Sequence, residues 1–137
     1  MIIGIGIDLR DIRRVEKSLE RFGGRFTHRL FTNDERTKAE QRAHPASSYA
    51  QGFAAKEACA KALGTGMRQG VFWRDMVVAN HFSGQPCMVL SGGARHRLEA
   101  LTPLGMDIHV NVSQSDEYPF ANAIVVISAV PTQPQRT

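Results

Sequence analysis

Two cysteines and one tryptophan in 137 residues, and no apolar run long enough to span a bilayer, remove several classes of protein at once. Cys59 and Cys87 match no metal-ligand spacing and are too few for a disulfide framework, so both are expected to be reduced packing residues. The Met-Ile-Ile-Gly start has no basic segment leading into a long apolar stretch, which points to a cytosolic protein with no membrane partner. No internal repeat occurs, and no G-x-x-x-x-G-K-[ST] loop. GIGID suggests a dinucleotide-binding turn, but the third glycine of G-x-G-x-x-G would fall on Leu9, and an arginine-rich helix follows in place of a βαβ repeat. With 42% hydrophobic residues, this length suits one domain, expected over residues 1–130. The polar, proline-bearing tail at 131–137 is expected to be disordered.

Basic charge is concentrated in one region. The net charge is only +4, yet ten of the 17 Lys and Arg residues lie between Arg10 and Arg42. Composition alone admits a nucleic acid, an acidic protein or a phosphorylated ligand as partner, besides a plain solvated surface.

The pattern begins with a strand, IIGIGIDL, whose Ile3, Ile5, Ile7 and Leu9 alternate with Gly4, Gly6 and Asp8. Ile12, Val15, Leu19 and Phe22 then recur at helical spacing until Gly23-Gly24. Thr32-Asn33-Asp34-Glu35 resembles a capping box, and a long helix is expected from about Ser48 to Leu63, stopped by Gly64-Thr65-Gly66. Strands at 75–82 and 86–90 form an expected hairpin, followed by a helix at 91–101. Two further strands at 106–113 and 121–130 are expected to pair across a turn at 116–119.

The long helix poses the chemical question. Its small and apolar residues point in every direction around the axis, the mark of a buried helix, yet it carries Lys56, Glu57 and Lys61. Buried charges need partners. A strand face of Gly4, Gly6 and Asp8 lets another backbone approach closely, and the alanine-rich helix is a natural occupant. Glu57 then nears Asp8, and two adjacent carboxylates repel unless a proton or cation lies between them. A magnesium ion would resolve this, taking one or two carboxylates and completing its shell with water and phosphate oxygens. Lys61, one turn after Glu57, and the Gly64-Thr65-Gly66 loop complete a set suited to pyrophosphate. Taken singly, each part has a plain alternative: a Glu57–Lys61 helix pair, Asp8 as a helix cap, the glycines as a helix stop.

GIGIDL and FAAKEACAKALGTG, in this order and separation, closely resemble the bacterial holo-[acyl-carrier-protein] synthases, the small homotrimeric type of the 4'-phosphopantetheinyl transferase family. RFTHRLFTNDE, SGQPCMVLSGGA and IHVNVS extend the resemblance over about residues 2–130. It implies an α+β fold, with a mostly antiparallel sheet packed around a long central helix. It further implies magnesium-dependent transfer of phosphopantetheine from coenzyme A to a serine of apo acyl carrier protein, releasing adenosine 3',5'-bisphosphate. By the resemblance Asp8 and Glu57 are the metal ligands, and Asp8, Glu57 and Lys61 the catalytic set. Lys56, Lys61, Gly64, Thr65, Gly66, His109 and Ser113 lie near the coenzyme. Either Glu57 or a metal-bound water deprotonates the acceptor serine. Many members carry Arg where this chain has Gly52, and His or Asp where it has Gln114.

Arg10, Arg14, Lys17 and Arg21 recur at helical spacing opposite the apolar stripe. The resemblance gives this basic helix an acidic carrier protein to dock, with Arg14, Arg21 and Arg25 as the contacts and active sites between subunits of a trimer. It leaves open whether the carrier serves fatty-acid or secondary-metabolite synthesis. An RNA-binding module fits less well, because Phe22, Phe26 and Phe31 are the few aromatics in the basic region and Phe22 falls on the expected core stripe. A magnesium-dependent phosphohydrolase would differ only in using water as acceptor.

Overall fold

The computed structural model describes residues 1–134. Strand β1 (Ile2–Asp11) leads into helices α1 (Ile12–Phe22), α2 (Gly24–Leu30), α3 (Asn33–Glu40) and α4 (Pro45–Ala62). A short 3-10 turn (Trp73–Asp75) precedes the hairpin β2 (Met76–Asn80) and β3 (Pro86–Leu90). Helix α5 (Gly92–Leu101) and the long hairpin β4 (Met106–Glu117) and β5 (Phe120–Pro131) complete the fold. The five strands form one antiparallel sheet in the order β1-β5-β4-β3-β2. This is the expected α+β arrangement, with α4 lying on one face of the sheet.

Local chemistry accounts for most boundaries. Asp11, not Asp8, caps α1, accepting from the Arg13 amide at 3.0 Å. Its carboxyl is held at about 2, chiefly by the Arg13 side chain. Thr32 and Glu35 form the expected capping box of α3. Helix α4 starts three residues earlier than expected, because Pro45 suits the first helical turn, where its missing N–H costs nothing. Helix α2 had no clear periodic signal in its seven residues.

Two differences concern the ends of elements. Arg10 belongs to β1, so the basic stripe of α1 begins at Arg14. Phe22 is 46% exposed, because the short α1 runs past the core that covers Ile12 and Val15. At the other terminus, Pro131 pairs with Met106 at the end of β5, and Thr132 bonds Gly105 and Asp107, so the expected disordered tail does not begin at 131. Residues 135–137 of that tail lie outside the described residues.

Contact between β1 and α4 sets the architecture. A Cβ on Gly6 would lie 1.9 Å from the Ala58 carbonyl oxygen, and one on Gly4 would lie 2.0 Å from that of Ala62. Only glycine lets the helix backbone rest on the strand. Helix α4 and the sheet's inner face enclose Ala54, Ala58, Cys59, Val125, Ile127 and Met76. Burial pushes the Cys59 thiol up to about 12, so it serves as packing, and neither cysteine is in a disulfide. A second cluster of Ile12, Val15, Leu30, Phe31 and Tyr49 joins α1, α2 and α3 to the first half of α4.

The isoleucines of β1 face the other way. Ile5, Ile7 and Leu9 are each more than three-fifths exposed, and Phe120 and Ile124 continue the same open face, Ile7 being paired with Ile124.

Gly6→Ala is expected to cost more than about 3 kcal/mol or to prevent folding, since its contact is helix backbone that cannot rotate away. Gly66→Ala meets open space and pays only for its positive φ, about 1 kcal/mol. Chemical denaturation of the two variants separates these outcomes.

Candidate active site

Strand parity puts Gly4, Gly6, Asp8 and Arg10 on the face of β1 that meets α4, and helical spacing brings Glu57 and Lys61 to the same edge. Lys61 Nζ donates to the Ile7 carbonyl at 2.9 Å and to Asp8 Oδ1 at 3.2 Å. Arg10 bridges the carboxylates: its Nε donates to Asp8 Oδ2 at 2.8 Å, and its terminal nitrogen lies 3.2 Å from Glu57 Oε1. The guanidinium also lies 3.9 Å from the centre of the Phe53 ring, a cation–π contact. The expected approach of Asp8 and Glu57 is present, with a cation between them. Lys61 pairs with Asp8 rather than with its helical neighbour Glu57.

Lys56 has another role than the expected ligand contact. It is fully buried, and its ammonium donates to Glu35 Oε1 and the Trp73 carbonyl, both at 3.0 Å, and to the Met76 carbonyl. All three protons are used inside the fold, so none remains for a ligand. Burial lowers its pKa, and the Glu35 carboxylate pulls the other way. The residue ties α4 to α3 and to the segment entering β2.

The glycine loop is a helix stop as well as an opening. Gly64 and Gly66 have φ of 77° and 59°, and their amides donate to the Lys61 and Ala60 carbonyls. Thr65 is buried, with its hydroxyl donating to the Gly66 carbonyl. The loop therefore offers close approach rather than free glycine N–H groups. Arg97 of α5 caps the same helix end through the Leu63 carbonyl at 3.0 Å.

His109 and Ser113 stand apart from this cluster. Both are exposed on the outer face of the sheet, in register with Ser128 and Ile124, while Asp8 and Glu57 lie on the α4 side. One chain does not bring the two groups together. Gln114 donates to the Gln51 carbonyl at 3.1 Å, and Gly52 lies against the Phe31 ring, so the two departures from the family pattern are neighbours.

Arg14 lines an open cavity of about 470 Å³ with Arg10, Ser18, Phe26 and Phe53. Arg25 and Phe22 line the next, of about 570 Å³, which shares Ser18, Phe26 and Phe53 with it. Arg21 is exposed, its guanidinium 5.1 Å from the Phe22 ring centre. Arg10, which bridges the two carboxylates, is thus also part of the wall of a groove with basic and aromatic residues. From sequence Arg10 was read only as part of the basic helix stripe, not beside the carboxylates, and Phe53 was given no role in the site. The strand's period of two would have marked Arg10, whereas Phe53 and Arg97 join the site only through tertiary packing.

Fold and site together define a 4'-phosphopantetheinyl transferase: residues 4–121 match the 4'-phosphopantetheinyl transferase superfamily, and the chain belongs to it. Within that class its likeness is to the holo-[acyl-carrier-protein] synthases. It is 62% identical to the one from Phenylobacterium zucineum over 134 residues, covering 98% of this chain and 97% of the relative. The crystal structure of the Neisseria meningitidis holo-[acyl-carrier-protein] synthase superposes with a TM-score of 0.82 at 34% identity, covering 93% of this chain and 99% of that one. The Helicobacter pylori synthase, in complex with coenzyme A, gives 0.75 at 31% identity and coverages of 90% and 99%.

Lys56→Met is expected to lower stability by about 3 kcal/mol, because it takes the interior ammonium away from the half-buried Glu35 carboxylate and from the Trp73 and Met76 carbonyls. Lys61→Met, at a half-exposed pair, should change it by less than about 1 kcal/mol. Equal denaturation midpoints for the two variants would contradict this division of roles.

Proposed function

We propose that the chain transfers the 4'-phosphopantetheine moiety of coenzyme A to a serine of an apo acyl carrier protein, giving the holo carrier and adenosine 3',5'-bisphosphate. The observation that carries this reading is the convergence of Asp8, Glu57 and Lys61 around Arg10, itself in the wall of a groove shared with Arg14, in a chain so similar to holo-[acyl-carrier-protein] synthases. A bond forms between the serine oxygen and the phosphorus bearing the pantetheine arm. The bond from that phosphorus to the bridging oxygen breaks, and its electron pair leaves on the nucleotide phosphate. Of the chain's own groups, Glu57 is the candidate to take the serine proton in this reading, its side chain being the more exposed carboxylate at 23% against 10% for Asp8.

Magnesium is part of this reading. Among the described residues no cluster of three or more His, Cys, Asp and Glu forms, but two hard oxygen donors already converge on a cation, the Arg10 guanidinium. That donor set fits an ion that takes the rest of its shell from water and phosphate. Asp8 and Glu57 would hold it, and it would supply Lewis-acid neutralisation of the pyrophosphate charge. Lys61, anchored to the Ile7 carbonyl, offsets charge on the leaving phosphate. Gly64, Thr65 and Gly66 allow the coenzyme to come close to the end of α4.

Arg14, Arg21 and Arg25 serve as the docking contacts for the acidic carrier, with exposed Phe22 among them. The open face of the sheet serves a second copy: Ile5, Ile7, Leu9, Phe120 and Ile124 form a contiguous apolar surface of the kind that marks subunit contacts. A homotrimer formed there would carry His109 and Ser113 toward a neighbour's coenzyme. A cytoplasmic site of action belongs to the same reading.

Intact-protein mass spectrometry of apo carrier incubated with the chain, coenzyme A and magnesium should show one added phosphopantetheine. The addition should be abolished by a chelator, Asp8→Ala or Glu57→Ala. Arg14→Ala should raise the KM for carrier several-fold, more at low salt, with kcat little changed. No mass gain on any apo carrier, with no binding of coenzyme A, would overturn the assignment.

Sedimentation should give three chain masses, and Ile7→Arg should dissociate the assembly and lose transfer together. A single-chain mass for the active protein would refute the shared site.

A further inference from the structure

We propose that Arg10 is a resident occupant of the metal site: its guanidinium holds the Asp8–Glu57 pair together before the divalent cation arrives and must leave for the cation to enter. The inference rests on the reading of Asp8 and Glu57 as metal ligands. Arg10 is bonded to Asp8 Oδ2 at 2.8 Å and paired with Glu57 Oε1 at 3.2 Å, one oxygen from each carboxylate. With Lys61 on Asp8 Oδ1, the two negative charges are balanced by two positive ones. An incoming divalent cation drawing on the oxygens that Arg10 holds would face the guanidinium at contact distance. Like charges so close repel, and the carboxylate oxygens cannot be fully shared.

Geometry supplies the way out. Only Nε and one terminal nitrogen hold the carboxylates, the side chain is 31% exposed, and its guanidinium carbon lies 3.9 Å from the centre of the Phe53 ring. Beside it opens the cavity of about 470 Å³ lined by Arg14, Ser18, Phe26 and Phe53. A rotation of the long, flexible arginine stem carries the charge into that groove without disturbing β1. The arginine so displaced joins Arg14 on the surface assigned to the acidic carrier, so metal loading and carrier docking favour one another.

An occupant that fills the site for about nine-tenths of the time weakens apparent metal affinity about tenfold. Arg10→Met keeps the stem against Phe53 and removes the charge. Electron paramagnetic resonance of free Mn²⁺, titrated with the intact protein without coenzyme A, should show about tenfold tighter binding by Arg10→Met than by wild type. Without metal the variant should melt at lower temperature, its carboxylates being less compensated, and saturating Mg²⁺ should raise its Tm more than it raises that of wild type. Equal or weaker Mn²⁺ binding by Arg10→Met, while Asp8→Ala abolishes binding in both backgrounds, would overturn the exchange and leave the metal ligands in place. Failure of wild type and Arg10→Met alike to bind Mn²⁺ would overturn both.

Discussion

The near-contact of the α4 backbone with the two glycines of β1 is the constraint on which the rest of the structure depends. With side chains at positions 4 and 6 the helix could not rest at this distance from the strand. Lys61 would not reach the Ile7 carbonyl, and Glu57 would not share an arginine with Asp8. The absence of two side chains thus brings four charged groups together. It also explains the alanines of α4, since a helix pressed on a strand and covered on its other sides has room only for small residues.

Charge compensation around α4 takes two different forms. Lys56 is paired and fully hydrogen-bonded in the interior, where its burial is tolerable only because three acceptors converge on it. Five residues later Lys61 emerges at the strand edge, half exposed and held by one carbonyl and one carboxylate. The same residue type is structural in one place and available to a ligand in the other. The difference lies in which neighbours use its protons.

The sheet divides the remaining duties between its faces. Its inner face carries α4, the core and the carboxylate pair, while its outer face presents Ile5, Ile7, Leu9 and Ile124 beside His109 and Ser113. This apolar outer face alongside His109 and Ser113 is what the proposed assembly of several copies rests on.

Sequence alone determined most of the elements, α2 excepted, and which residues carry charge into the long helix. Alternation in GIGIDL, the capping box at Thr32 and the all-round apolar helix with Lys56, Glu57 and Lys61 are local patterns, and local patterns survive in a one-dimensional string. The resemblance carried by GIGIDL and FAAKEACAKALGTG named the family for the same reason. Only the tertiary structure decided who pairs with whom. Lys56 turned inward because Trp73 and Met76, distant in the chain, present carbonyls there. Asp8 left the helix cap to Asp11 and met Lys61 instead. Arg10 left the helix stripe for the strand, where it sits between two carboxylates 49 positions apart in sequence. Pairings of this kind depend on distances across the fold, which no spacing along the chain encodes.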